Sequence, residues 1–223
     1  MLHSLKKINN KEQFIPTYLS LLINANYFIK KGIYKGVKKY AHYMHGTMMD
    51  FGCGNKPYKN LMKVNRYVGI DIENSAHDHS TEEIDILYNG YQIPFNNEYF
   101  DSVFSAEVFE HVFHLEEIIK EINRVMKLNG IILITVPFVW HEHEIPNDFA
   151  RYSSYGMKDL LERNNFKILH QEKSTTYIET LVQMWNAFLF NIIFPNNIYL
   201  KIFLTIIFIA PFNLWGLFLS KLF

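Results

Sequence analysis

Two acids and two glycines in the first third of the chain have the spacing of a nucleoside site. Asp50, Gly52 and Gly54 fall in MMDFGCGNKP, and Asp71 follows in YVGIDIE, 19 residues after Gly52. Glycine reaches φ > 0 and lets a ligand come close to the backbone. A carboxylate about 20 residues further on can accept hydrogen bonds from both hydroxyls of a ribose. The loop by itself reads equally well as a strand ending in a tight turn; the acid at this distance favours the ligand. Phosphate fits poorly. Pro57 stands where GxGxxG needs its third glycine, and GxxxxGK[ST] is absent.

A second group of residues is suited to moving protons. EVFEHVFH holds Glu107, Glu110, His111 and His114, and PFVWHEHEIPNDFARYSSYG holds His141, His143, Asp148, Arg151 and Tyr152. Histidine can take a proton near neutral pH, so His141, His143 and His111 are the candidate catalytic groups. Asp148 could orient one of them, and Arg151 could hold an anionic group. At i, i+3 the same two could also pair with each other, a contribution of about 0.2–0.5 kcal/mol on a helix. The acids of EVFEHVFH could simply favour a helix start. A metal reading of His141, Glu142, His143 and Glu144, or of His77-Asp78-His79, lacks a third ligand at recognisable spacing, so no metal site is expected.

These residues must be positioned by alternating elements. Short apolar runs at 47–51, 67–72, 101–105, 131–136 and 166–170, with a weaker one at 84–86, read as strands. Between them Leu115, Ile118, Ile119, Ile122, Val125 and Met126 recur at helical spacing, with Asn129-Gly130 as the stop. Another helix starts at Ser153 or Ser154 and carries Met157, Leu160 and Leu161. Alternating βα units imply an α/β fold: a doubly wound, mostly parallel Rossmann-like sheet of six strands, with ligands beyond the carboxyl ends of the strands. Three parts are expected: a helical cap over 1–46, the sheet domain over 47–175 and an apolar helical tail over 176–223.

A nucleoside cofactor with a ribose and no phosphate, but with a sulfonium and an ammonium that suit nearby carboxylates, is S-adenosylmethionine. Residues 45–172 resemble the class I S-adenosylmethionine-dependent methyltransferases. DFGCGNKPY and VGIDIE resemble the first two motifs, IPFNNEYFDSVFSAEVFEHV the segment holding strand four, and VMKLNGIILITVPF the helix, turn and fifth strand. The resemblance implies that Asp50, Gly52 and Gly54 approach the methionyl part and that Asp71, with Ile72 beside it, holds the ribose. It places Asp85, after the third strand, near the adenine, and Ala106 and Glu107 near the sulfonium. Asp101 is expected to be structural. The HxH and PxDFxRY patterns resemble a subgroup found among enzymes of polysaccharide biosynthesis. That implies O-methylation of a sugar or lipid-linked glycan, with His141 or His143 as base and Asp148, Arg151 and Tyr152 as acceptor contacts. A binding protein whose pocket no longer catalyses and a metal-dependent hydrolase built on HEHE are the alternatives.

Composition sets the remaining limits. The 223 residues are 49% hydrophobic, enough for a core, and 22 Lys plus Arg balance 22 Asp plus Glu, so nucleic acid is not an expected partner. One cysteine excludes an internal disulfide and suits a reducing, cytoplasmic compartment. No secretory signal is read in MLHSLKKINN. In the tail, Glu179, Gln183, Asn186 and Asn191 mark a polar stripe along an amphipathic helix, and Pro195-Asn196-Asn197 breaks it. Residues 202–220 then carry no charge, while Pro211, Asn213 and Gly216 argue against a simple span. The tail has three readings: packing on its own domain or a second subunit, lying at the inner face of a membrane, or spanning it. The family's seventh strand is not found.

Overall fold

The computed structural model describes residues 12–73 and 82–222; His77, Asp78 and His79 lie outside them. Two compact units divide the chain: 37–172, and 1–36 together with 173–223. The N-terminal segment and the tail, expected as separate parts, thus fall in one unit. In chain order the first helices are α1 (Ser20–Ile23) and α2 (Tyr27–Tyr40). Strands β1 (Thr47–Phe51), β2 (Arg66–Ile72), β3 (Ile86–Tyr88) and β4 (Phe100–Ala106) follow. Then come α3 (Leu115–Val125), β5 (Met126–Thr135) and α4 (Ser154–Glu162). The last helices are α5 (Tyr177–Phe188), α6 (Ile198–Leu204) and α7 (Ala210–Leu219).

The sheet is wholly parallel with order β3-β2-β1-β4-β5. Strand order reverses beside β1, and a crevice opens at such a point beyond the carboxyl ends. Ile118, Ile119, Ile122 and Val125 of α3 are all buried against the sheet core, as their i, i+3, i+4 spacing requires. Ser153 caps α4, its Oγ accepting from Gly156 N–H.

Three expected elements differ. The sheet has five strands among the described residues, not six: 166–170 forms no ladder, although Phe166 and Ile168 still pack on the core. Apolar side chains can be buried without joining a sheet, so the run satisfies the core and not the strand. Helix α3 stops at Val125, not at Asn129-Gly130. Met126 already pairs with Phe100, and Ile131 resumes opposite Ser102. The intervening residues bulge, with Asn129 at φ 62°. The third strand begins at Ile86, two residues later than the 84–86 run.

Asp101 has the structural place expected of it. Its Oδ2 accepts from Thr47 N at 2.8 Å and its Oδ1 meets Lys127 Nζ at 2.7 Å. This ties the starts of β1 and β4 to the bulge of β5.

The unit of residues 12–36 and 173–222 has its polar groups inside. Gln183 Oε1 accepts from Phe28 and Ile29 N–H, and its Nε2 donates to the Ala25 carbonyl. Asn213 Nδ2 donates to the Leu21 and Asn24 carbonyls, and Asn186 Nδ2 donates to Asn213 Oδ1. Lys31 pairs with Glu179 at 2.8 Å. Three of the four residues of the expected polar stripe, Glu179, Gln183 and Asn186, therefore lie on the packed face, where they meet backbone or side-chain partners, while Asn191 is exposed. The apolar side faces out: Leu181 is 67% exposed and Ile192 71%. Pro211 does not break the helix either. A π-helical turn at Thr205–Ile209 precedes it, and the helix is continuous over Ile198–Leu219.

Gly46 has φ +60°, and a Cβ there would lie 2.5 Å from Asp101 Cγ. Gly46→Ala should cost about 2–4 kcal/mol, the sum of left-handed strain and overpacking, measured by urea unfolding. An unchanged midpoint would contradict this account of the Asp101 tie.

Candidate active site

The carboxyl ends of β1, β2 and β4 bring the first group of residues together. After β1 the chain turns back on β2: Gly52 and Cys53 N–H both donate to the Ile70 carbonyl, at 2.9 and 3.1 Å. Gly52 has φ +71°, and a Cβ would meet Val108 Cγ1 at 2.5 Å, so the loops after β1 and β4 touch across the switch point. Gly54 N–H donates to Asp71 Oδ2 at 2.9 Å, while Asp71 Oδ1 accepts from Ile72 N–H at 2.8 Å. The acid expected to hold a ribose is thus aimed at the glycine loop, with Ile72 exposed beside it.

Asp50 is only 3% exposed, and Tyr67 O–H donates to its Oδ2. Its carboxylate is internal and braces the loop from within. Asp85 requires a correction. It precedes β3 instead of following it, and its Oδ2 accepts from Gly69 N–H at 2.6 Å and meets Lys56 Nζ at 2.8 Å. Lys56, buried within the loop itself, is what fixes it there. The residue after β3 is Asn89, whose Oδ1 accepts from Tyr91 and Gln92 N–H. The short strand hid this: three residues give little alternation from which to read an end.

Ala106 ends β4 and pairs with Thr135 of β5; Glu107, at φ 56°, donates its N–H to the Thr135 carbonyl at 3.0 Å. A left-handed non-glycine residue directly after a central strand marks a sharp exit. Glu110 and His111 follow in a short 3-10 turn, Phe109–His111, ahead of α3.

Here the two loops of the second group meet. His111 Nδ1 lies 2.6 Å from the Asn147 carbonyl, and its ring packs edge-on against His143 with centroids 4.7 Å apart. Glu110's backbone carbonyl accepts from Phe149 and Ala150 N–H. His143 Nδ1 lies 3.1 Å from Asp148 Oδ2, which also accepts from the His143 N–H at 2.9 Å. Arg151 grips Asp148 with two hydrogen bonds, 2.5 and 2.6 Å long, and donates to the carbonyls of Trp140, His141 and Ala150. Arg151 NH2 also stands 3.4 Å from His143 Nδ1. The guanidinium is thus committed to the loop. It holds the Asp148 carboxyl well below the usual carboxylate range. His143 is shifted down, first by burial and then by neighbouring His111, so its ring stays neutral. A neutral ring that gives its Nδ1 proton to Asp148 presents a lone pair at Nε2. His141 is placed differently: its ring is exposed and tilts against Trp140. Tyr152 is half-buried and packs on the core.

Glu110 was read only as an acid at a helix start. Its side chain is fully buried, and neither oxygen has a hydrogen-bond partner. Burial and the charge of Glu107 push its carboxyl up to about 8. No local pattern could reveal this, because the residues that cover it come from the loop after β5.

Comparisons bear on the domain and its fold. Residues 49–134 match the family model described as a methyltransferase domain. An uncharacterized protein of Methanocaldococcus jannaschii is 31% identical over 160 residues, 70% of each chain. The fold is similar to that of a methyltransferase dependent on S-adenosylmethionine from Thermotoga maritima, at TM-score 0.50 and 17% identity, over 75% of this chain and 78% of that one. A methyltransferase from Mesorhizobium loti that uses the same cofactor gives TM-score 0.50 and 11% identity, over 70% and 91%. The glycine loop closed onto Asp71, the switch point between β1 and β4 and the matched residues lead to one assignment: residues 49–134 of this chain are a methyltransferase domain, on the fold of the S-adenosylmethionine-dependent methyltransferases.

Proposed function

We propose that the protein transfers the methyl group of S-adenosylmethionine to a hydroxyl of a sugar or lipid-linked glycan. The observation that carries the reading is the chain Arg151–Asp148–His143, which holds a neutral imidazole beside His111 and Glu110, just past the carboxyl ends of β4 and β5. Gly52, Gly54 and Asp71 receive the cofactor, with Ala106 and Glu107 near its sulfonium. The methyl group moves by in-line displacement: the acceptor oxygen bonds to the methyl carbon as the carbon–sulfur bond breaks. Much of the acceleration comes from holding the partners in line. The hydroxyl proton leaves toward the histidine cluster, where His143 Nε2 is free to accept it. Asp148 and Arg151 act by positioning that ring. A glycan acceptor is suggested by the polar, aromatic loop 137–156 and its PxDFxRY pattern.

The helical unit fits an acceptor carried by lipid. Gln183, Asn186 and Asn213 are internal, and Trp185, Phe203, Trp215 and Phe218 are each exposed by 46% or more. Ile198–Leu219 is long and apolar enough to cross a membrane by length and composition. At about 1.5 Å per residue its 22 residues extend about 33 Å, against a hydrocarbon core of about 30 Å. We place this unit in or on the cytoplasmic membrane.

Three outcomes test the reading. Asp71→Ala should weaken S-adenosylmethionine binding by tenfold or more, roughly 1.5–3 kcal/mol, because ribose hydroxyls lose a charged acceptor and Gly54 loses its tie; calorimetry decides, and equal affinity would reject the cofactor assignment. His143→Ala should lower turnover on a glycan extract by about 10²-fold or more while leaving cofactor affinity alone. Full activity would remove the imidazole from the chemistry. The third concerns Asp50, whose carboxyl burial pushes up to about 7, partly opposed by the Tyr67 hydrogen bond. The folded state therefore keeps a proton that the unfolded chain releases near pH 4, and this contribution to stability fades as pH rises toward and through 7. Melting temperatures of the cofactor-free protein between pH 5 and 8 should fall less for Asp50→Asn than for the wild type. Parallel curves would refute the shift.

A further inference from the structure

We propose that Glu110, His111 and His143 form a binding site for one divalent transition-metal ion. One donor atom from each of the three lies within 4.8 Å of the other two. Each histidine has its Nδ1 against an acceptor, the Asn147 carbonyl for His111 and the Asp148 carboxylate for His143. Such outer partners fix the tautomer and leave the Nε2 lone pair for a metal. The third member is the fully buried Glu110 side chain, whose two oxygens have no hydrogen-bond partner. A carboxyl in that state is costly unless something absent from the protein itself satisfies it. His111 Nε2 stands 3.7 Å from Glu110 Oε1 and 3.9 Å from Glu144 Oε2, so a fourth donor is within reach.

The donor set selects the ion. Two imidazoles and a carboxylate suit Zn2+, Co2+, Fe2+ or Mn2+, whereas Mg2+ and Ca2+ favour oxygen ligands. Metal–donor bonds of about 2.0–2.2 Å put neighbouring donors about 3–3.5 Å apart, so the 3.7 Å gap needs a small contraction, and closing the set, whose donors lie within 4.8 Å, needs a larger side-chain adjustment. The spacing along the chain concealed this set. Glu110 and His111 leave β4 while His143 follows β5, and the parallel pairing of those strands brings them together.

The existence of the site does not depend on the methyl-transfer reading; its use does. With the ion bound, the His143 Nε2 lone pair goes to the metal. An ion held there would then take over deprotonation from His143 Nε2: it would lower the pKa of an acceptor hydroxyl, whose proton would pass to solvent.

The test is titration of the full chain, freed of metal by chelator, with Co2+ followed by visible absorption and with Zn2+ by calorimetry. One ion per chain is expected, with affinity reduced tenfold or more in both Glu110→Gln and His111→Ala and unchanged in Glu142→Gln. Near-ultraviolet circular dichroism verifies that each variant is folded. If one of the two ligand variants is unfolded, the other decides. Absence of stoichiometric binding, or binding that no folded ligand variant weakens, would overturn the proposal. S-adenosylmethionine titration of the same protein separates the two readings: cofactor binding by a chain that takes up no ion leaves the methyltransferase and removes the metal, and ion uptake by a chain that binds no cofactor removes the cofactor assignment alone.

Discussion

The hydrogen bond from Gly54 N–H to the Asp71 carboxylate joins two successive strand–loop units at the edge where ligands bind. It depends on a loop that only glycine can shape at Gly52, where a left-handed backbone and the Val108 side chain leave no room for a Cβ. With the Ile70 carbonyl it fixes the height of the loop over β2. Asp50 and Tyr67 support it from inside, and Lys56 and Asp85 anchor its far side. Residues that look like separate features in the sequence are parts of one brace.

That brace explains why the cofactor half was legible and where it was not. β1 falls on the residues expected, since its buried run is bounded by Gly46 and Gly52. Asp71 lies at the end of a seven-residue strand with a clear apolar stretch. Asp85 was misplaced because β3 is only three residues long and its boundary depends on pairing with β2. The run at 166–170 was read as a strand from composition. Burial alone produces the same composition. Asn129 was read as a stop, although its left-handed conformation serves a bulge as readily as a helix end.

The acceptor side was harder to read because its geometry is assembled across two strands. Asp148 and Arg151 are three apart, and their pairing was foreseeable; that the pair would hold His143 was an open question. Glu110 gives no local sign of its burial. The loop after β5 folds over it, with Phe149 and Ala150 donating to its carbonyl, and the carboxyl is enclosed as a result. In the tail, Glu179, Gln183 and Asn186 of the expected polar stripe share a packed face and Asn191 does not, and a polar stripe by itself does not say which side is packed. Gln183, Asn186 and Asn213 find backbone and amide partners within their own unit, beside apolar clusters around Phe28 and Ile209, so polar and apolar groups share its interior.

The helical unit is made from two stretches far apart in the chain, and this sets an order of synthesis. Phe28 and Ile29 wait for Gln183, and Leu21 waits for Asn213, so the first segment stays incomplete until residues 183 and 213 have been translated. The parallel sheet has all its strands by Thr135 and can close earlier. A ribosome therefore releases a formed nucleotide-fold body before the greasy helices acquire their partners. Completion of the helical unit would then be the final event of biogenesis, after the sheet has closed.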